Sequence, residues 1–249
     1  MKNLLIFLIL GSVSAPALSQ GWRESSRASM GISPSPSEES RAIVQVFGAR
    51  TFGKRGAFAV HTWIATKEAD ALVYTTYEVI GWRARYGREA LLVKQDIPDR
   101  RWFGSDAELI DEIRGETAER AIKRIQELVP KYPHRFEYRV WPGPNSNTFV
   151  SWVIRNTSEL QVELPPHAIG RDYIVDHGLF AKSESGTGLQ MSLFGLIGFT
   201  FGLYDGLEIN ILSLSFGVDF LRPAIKLPML GRLGMSERSP PHKTESNSG

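Results

Sequence analysis

A rigid break followed by a helix signal, at residues 141–150, limits what this chain can fold into more than any other stretch. The residues are Trp141-Pro142-Gly143-Pro144-Asn145-Ser146-Asn147-Thr148-Phe149-Val150. Residues 136–141 alternate and predict a strand leading in. Two prolines that cannot donate to a ladder, with a turn-tolerant glycine between them, must end that strand. Beyond the break Phe149, Val150, Val153 and Ile154 recur at three- and four-residue spacing, which predicts a short amphipathic helix. Ser146 then falls at or beside the N-cap. Unpaired backbone N–H groups and the positive end of the helix dipole favour a developing oxyanion there. Asn and Ser are also the ordinary capping residues, so this stretch alone fits a plain cap at least as well as a catalytic site.

The 249 residues suffice for one large domain or two small ones. A formal charge of +2 with 22% charged residues, spread evenly, argues against nucleic acid as a partner, which needs a clustered basic surface. The chain has no cysteine, which excludes disulfides, thiolate metal sites, a cysteine nucleophile and cysteine acylation. Residues 1–20 predict a secretory signal: Lys2 is the positive start, Leu4 to Leu10 the apolar centre, and Ala15-Pro16-Ala17 or Ala17-Leu18-Ser19 the cleavage site. The expectation is export to the periplasm, because the apolar run is too short for a normal span.

Residues 21–41, rich in Ser, Pro, Arg and Glu, predict a linker or surface arm. The run 43–47 predicts the first strand. Gly48 to Arg55 nearly matches a phosphate-binding loop, but Arg55 stands where a Mg²⁺-binding hydroxyl is required, and a strand pattern follows instead of a helix. Residues 57–66 alternate, with Phe58, Val60, Thr62 and Ile64 on one face and Ala59, His61, Trp63 and Ala65 on the other. A turn at 67–70 leads to a second strand over 72–82, so a hairpin would bring His61 toward Thr76, Tyr77 and Glu78. Residues 89–94 predict a further strand. Ser105-Asp106-Ala107-Glu108 has the form of a capping box and predicts a helix running from there to about Val129, with Gly115 as a point of division.

Residues 186–220 are apolar, punctuated by glycine and nearly uncharged. Gln190, Ser192, Thr200, Asp205, Glu208 and Asn210 interrupt them, which predicts strands with glycine at turns over a membrane helix. Residues 236–249 predict a disordered tail. The histidines show no short-range ligand spacing, so neither a metal nor a cofactor is expected.

A His on a strand, a hairpin, a helix and then the Asn145-Ser146-Asn147-Thr148-Phe149-Val150 junction resemble the circularly permuted branch of the NlpC/P60, papain-like superfamily. The resemblance covers roughly residues 43–155. It places Ser146 at the position of the cysteine nucleophile and His61 at that of the base, with Glu78 or Tyr77 orienting the imidazole. Asn145, Asn147 and Trp63 would be binding residues. The whole chain also resembles an uncharacterised proteobacterial exported family known only as a domain of unknown function. A hydroxyl is far less acidic than a thiol, so Ser146 would need His61 as a true general base.

The expected fold is α+β: an antiparallel sheet packed on helices as a permuted papain-like core over 42–156, with a glycine-rich β extension over 157–235 packed on it. The expected function is an exported Ser-His hydrolase or acyltransferase acting on amide or ester bonds of cell-wall peptide or lipid. The alternatives are an inactive papain-like binding module of the envelope, or a structural protein in peripheral contact with the membrane.

Overall fold

Strand alternation builds two antiparallel sheets in the computed structural model, which describes residues 25–176 and 178–235. The predicted signal segment, the first residues of the arm, His177 and the tail from 236 lie outside the described residues. The first sheet contains β1 (Ile43–Arg50), β2 (Val60–Lys67), β3 (Thr75–Val79), β4 (Leu91–Gln95) and β5 (Ala107–Arg114), in the order β4-β3-β2-β1-β5. The helices are α1 (Gly81–Arg85), α2 (Glu116–Leu128) and α3 (Ser146–Arg155). With two antiparallel sheets and few helices, the fold is a mostly-sheet α+β fold.

β2 is buried along its whole length because both faces of the sheet are covered. On one face Val60 and Ile64 join Val44 and Val46 against Ile125, Phe149 and Val153 of α2 and α3. On the other, Trp63 and Ala65 join Phe47, Trp102 and Phe103. The arm closes this second face, since the Ser29 hydroxyl donates to Asp99 at 2.7 Å and the Met30 N–H donates to the Asp99 carbonyl at 3.1 Å.

Two expected elements take other forms. The helix over 105–129 begins only at Glu116, and the stretch before it is β5, paired antiparallel with β1. The pairing satisfies the backbone groups of residues 107–114 that face β1, with a bulge at Ile110, and Gly115, at φ 68°, turns the chain into α2. Residues 136–141 form no strand; Tyr138 instead packs against the core on the helix side. The boundary after residue 156 also differs, because Leu160, Val162, Leu164, Ala168 and Val175 belong to the same core as α3.

The second sheet is a meander of β6 (Phe180–Lys182), β7 (Gly188–Leu193), β8 (Ile197–Gly202), β9 (Gly206–Ile211), β10 (Leu214–Asp219), β11 (Ala224–Leu227) and β12 (Gly231–Gly234). Glycine is required at 188, where a Cβ would lie 2.1 Å from the Phe201 carbonyl oxygen. The sheet is inside out relative to an ordinary amphipathic sheet. Gln190, Ser192, Thr200, Glu208, Asn210 and Ser215 are buried on its inner face, and the alternate apolar residues point outward. The inner face meets Arg171, which pairs with Glu208 and with Glu163, while Lys226 bonds Glu163 at 2.6 Å. Among the described residues no helix is long and apolar enough to cross a membrane.

Candidate functional site

Helix α3 starts where the sequence demands. Asn145 is its N-cap, and its side-chain oxygen accepts from the N–H groups of Asn147 at 2.9 Å and Thr148 at 3.2 Å. Thr148 returns the bond by accepting from the Asn145 N–H at 3.1 Å, completing a capping box. The Asn145 amide donates to the carbonyls of Val140 and Ile169, so the cap also fastens the break to the loop after α3. Ser146 is the first residue of the helix and is 2% exposed.

Asn147 anchors this helix end to the sheet. Its amide donates to the Val60 carbonyl at 3.0 Å and the Ile169 carbonyl at 2.8 Å, and its oxygen accepts from the Thr62 hydroxyl at 2.9 Å. Since Thr62 faces α3, strand alternation turns His61 to the opposite face. There the His61 ring stacks on Trp102, with centroids 3.6 Å apart, and lies near Trp63. Its Nε2 bonds the Glu78 carboxylate at 3.1 Å, and Arg100 bonds the other carboxylate oxygen at 2.5 Å.

These contacts fix the charges. Burial lowers the His61 pKa, and Glu78 opposes this only in part, so the ring is neutral at pH 7. Burial pushes the Glu78 carboxyl up, but the His61 bond and the Arg100 charge outweigh it and hold the carboxyl below its usual range. An ionised Glu78 accepts the proton of Nε2, which leaves Nδ1 as the nitrogen with a free lone pair.

A cavity of about 560 Å³ wraps around this end of the sheet. Its walls include Val60, Val79, Asn145, Ser146 and Asn147 from the α3 side, and His61, Ile80 and Trp102 from the other. Phe52, Phe58, Trp82, Tyr138 and Trp141 make the rest largely aromatic. Among the described residues Arg55 and Arg85 are its charged lining residues, and no carboxylate lines it. Ser146 and His61 thus reach one cavity without a hydrogen bond between them, and Tyr138 lines the same cavity. Burial raises the Tyr138 hydroxyl above its ordinary pKa, so it is no base for Ser146.

The other expected site residues separate. Glu78 does orient His61. Tyr77 does not: it lies on the opposite face of β3, packed with the α2–α3 core. Trp63 is fully buried, donates to the Pro98 carbonyl at 2.7 Å and does not line the cavity, so it is a core residue rather than a binding one. Arg55, Arg85, Arg100, Trp102 and Tyr138 were not singled out by the sequence pattern. One signal for the cavity's charge was available: residues 50–58 and 81–88 carry Arg50, Lys54, Arg55, Arg83, Arg85 and Arg88 and no acidic residue. Among the described residues no three His, Asp or Glu side chains converge as a metal-ligand set.

Residues 41–173 match the model of a protein family described as "Protein of unknown function (DUF3750)". That region holds the first sheet, all three helices and every residue discussed at the cavity. No curated protein and no solved structure matches the chain.

Proposed function

The chain belongs to the DUF3750 family of proteins of unknown function, and from that footing we propose that it is an exported, non-catalytic binding module of the cell envelope. Its ligand would be an apolar chain or ring system carrying an anionic group. The observation that carries this reading is the make-up of the cavity. Aromatic and aliphatic walls surround about 560 Å³, two arginines line it, and among the described residues no carboxylate competes there with a bound anion. Ligand sites are commonly concave and mostly apolar, with a few polar groups that fix orientation. Arg55 and Arg85 would hold the charged head by charge-assisted hydrogen bonds. The amides of Asn145 and Asn147 are committed to backbone carbonyls, so they shape the wall more than they contact a ligand.

A hydrolase needs a base within hydrogen-bond reach of its nucleophile. Among the described residues His61 is the one imidazole lining the cavity, and it lies on the far face of β2 from the helix that carries Ser146. With His61 and Ser146 on opposite sides of β2, the papain-like resemblance loses the geometry it implied, and the Asn145-Ser146 junction acts as a helix cap at the cavity wall. The Ser-His hydrolase acting on cell-wall peptide or lipid is the second reading, favoured by the Glu78–His61 pair and by the shared cavity.

Fluorescence of Trp82, Trp102 and Trp141, which line the cavity, separates the readings. Titration with dodecanoate should change the emission saturably, and dodecanol should bind at least about tenfold more weakly, a loss of ~1.4 kcal/mol. Arg55→Ala with Arg85→Ala should erase that preference. A fluorophosphonate that phosphonylates the Ser146 hydroxyl with loss of fluoride, with labelling that rises as histidine deprotonates and vanishes in His61→Ala, would instead establish the hydrolase.

A further inference from the structure

We propose that the outward face of the second sheet is the contact of a homodimer, in which two copies pack sheet against sheet. The registers align its apolar side chains in rows across successive strands. Leu189, Phe201, Leu207, Val218, Ile225 and Leu233 oppose one another directly from β7 to β12. A parallel row runs Met191, Phe199, Ile209 and Phe216. The members of this second row are between 39% and 49% exposed, and every outward position on β7 to β12 is apolar.

At about 4.8 Å between strands and about 3.3 Å per residue, the face covers on the order of 600 Å² in projection. Its accessible area is larger because side chains stud it. The largest apolar patch on a typical monomer reaches about 300–600 Å², whereas a stable interface buries about 800 Å² per partner. Two such faces packed about 10 Å apart would form an ordinary sandwich core.

A second copy fits this face better than a lipid surface does. The end strands β6 and β12 keep one open edge each, and their unpaired N–H and C=O groups need water. In a sandwich these edges stay at the wet rim, whereas in hydrocarbon each unpaired group costs several kcal/mol. A surface that reads anionic lipid also carries a collar of basic residues. Here Arg222 and Arg232 turn to Asp219, and Lys226 points beneath the sheet to Glu163. Among the described residues Lys182, on the edge strand β6, is the exposed cation of this face.

The contact is isologous, so a residue near its centre meets its own copy across the two-fold axis. The cysteine-free chain makes this directly readable. In the otherwise unaltered protein, Phe199→Cys should form an intermolecular disulfide under mild oxidation, while Tyr86→Cys, 77% exposed on the first domain, should not. Sedimentation velocity should show a dimer of the wild type. Phe199→Glu, which sets two carboxylates against each other, should weaken it at least about a hundredfold, a cost of ~2.7 kcal/mol, with an unchanged circular dichroism spectrum. Phe199→Glu mixed with Phe199→Lys should restore a heterodimer. A wild-type monomer at about 50 µM, weaker than any interface of this size should be, would overturn the proposal. So would a dimer indifferent to Phe199→Glu, or binding to phosphatidylcholine or phosphatidylglycerol vesicles that Phe199→Glu abolishes.

Discussion

The Thr62 hydroxyl donates to the Asn147 side-chain oxygen at 2.9 Å, across the junction of β2 and α3. This bond settles the geometry of the cavity, because a strand cannot aim two consecutive side chains at one helix. With Thr62 on the α3 side, His61 is committed to the tryptophan side. It also makes Asn147 a structural anchor: three of its side-chain bonds hold the helix terminus to Val60, Thr62 and Ile169.

Asn147→Ala removes that anchor, taking the side-chain donor from the Val60 carbonyl and the acceptor from the Thr62 hydroxyl, while the Ile169 carbonyl keeps only the Asn145 amide. An unsatisfied buried polar group costs about 1–3 kcal/mol, so a loss of ~2–4 kcal/mol is expected for the set. Thr62→Val, which orphans one acceptor, should cost ~1–2 kcal/mol by the same rule. Urea denaturation measures both. If Asn147→Ala proves the milder of the two, the anchor role is wrong.

Glu78 and Arg100 form a fully buried ion pair, with side-chain exposures of 0% and 1%. Removing one partner strands the other charge, which typically costs about 3–5 kcal/mol. Arg100→Met should therefore destabilise strongly, and it should raise the Glu78 carboxyl by leaving its burial uncompensated. Adding Glu78→Gln to Arg100→Met should recover part of the loss, and a double mutant worse than either single would contradict the pairing. Breaking the pair should also free the His61 ring to rotate, seen as broadened imidazole signals in NMR spectra.

Two histidines make stability fall with acid. Burial lowers His61, and burial with the charges of Arg50 and Arg171 lowers His167 to about 4. In the unfolded chain each binds a proton near the ordinary value of about 6.5. Their contribution is therefore whole above about pH 6.5 and is lost as pH falls, for His167 down to its folded value of about 4. The buried carboxyls of Glu163, Asp172 and Glu184, held above their usual range by burial, act in the opposite sense, so the histidine part is read by difference: relative to wild type, His167→Gln should lose less unfolding free energy, or gain more, between pH 7 and 5. A His167 resonance titrating near 6.5 in the folded protein would exclude this.

How much of this was legible depends on whether the signal was local. The α3 start was, because Pro142, Pro144 and the Asn145–Thr148 cap act within one turn. The His61 strand and its Glu78 neighbour were, because a hairpin register follows from alternation. The strands of residues 186–220 were legible from Gln190, Glu208 and Asn210 breaking an apolar run, but not that these polar residues would face inward. That inversion depends on Arg171 and Glu163, which the chain brings beneath the sheet from a loop far earlier. Tyr77 failed as an orienter for a simpler reason: it sits one residue from Glu78 and so on the wrong face.

The stretch 105–114 shows local propensity losing to tertiary pairing. Ser105-Asp106-Ala107-Glu108 has the form of a capping box, yet β1 supplies partners for the backbone of residues 107–114, and the cap falls out of use. The two assignments predict opposite rankings for two substitutions. With residues 107–114 as a strand, Ser105→Ala removes no cap and should change stability by less than about 0.5 kcal/mol. Gly115→Ala should cost about 1–3 kcal/mol, because φ 68° with ψ −146° is a backbone region that essentially only glycine adopts. Were the helix to start at Ser105, the serine would carry about 1 kcal/mol as a cap and Gly115→Ala, now mid-helix, would stabilise. Denaturant midpoints at unchanged slope measure both. Amide exchange adds an independent check: alternate N–H groups of residues 107–114 should be protected by pairing with β1, and Ile43→Ala, in the paired strand, should weaken that protection.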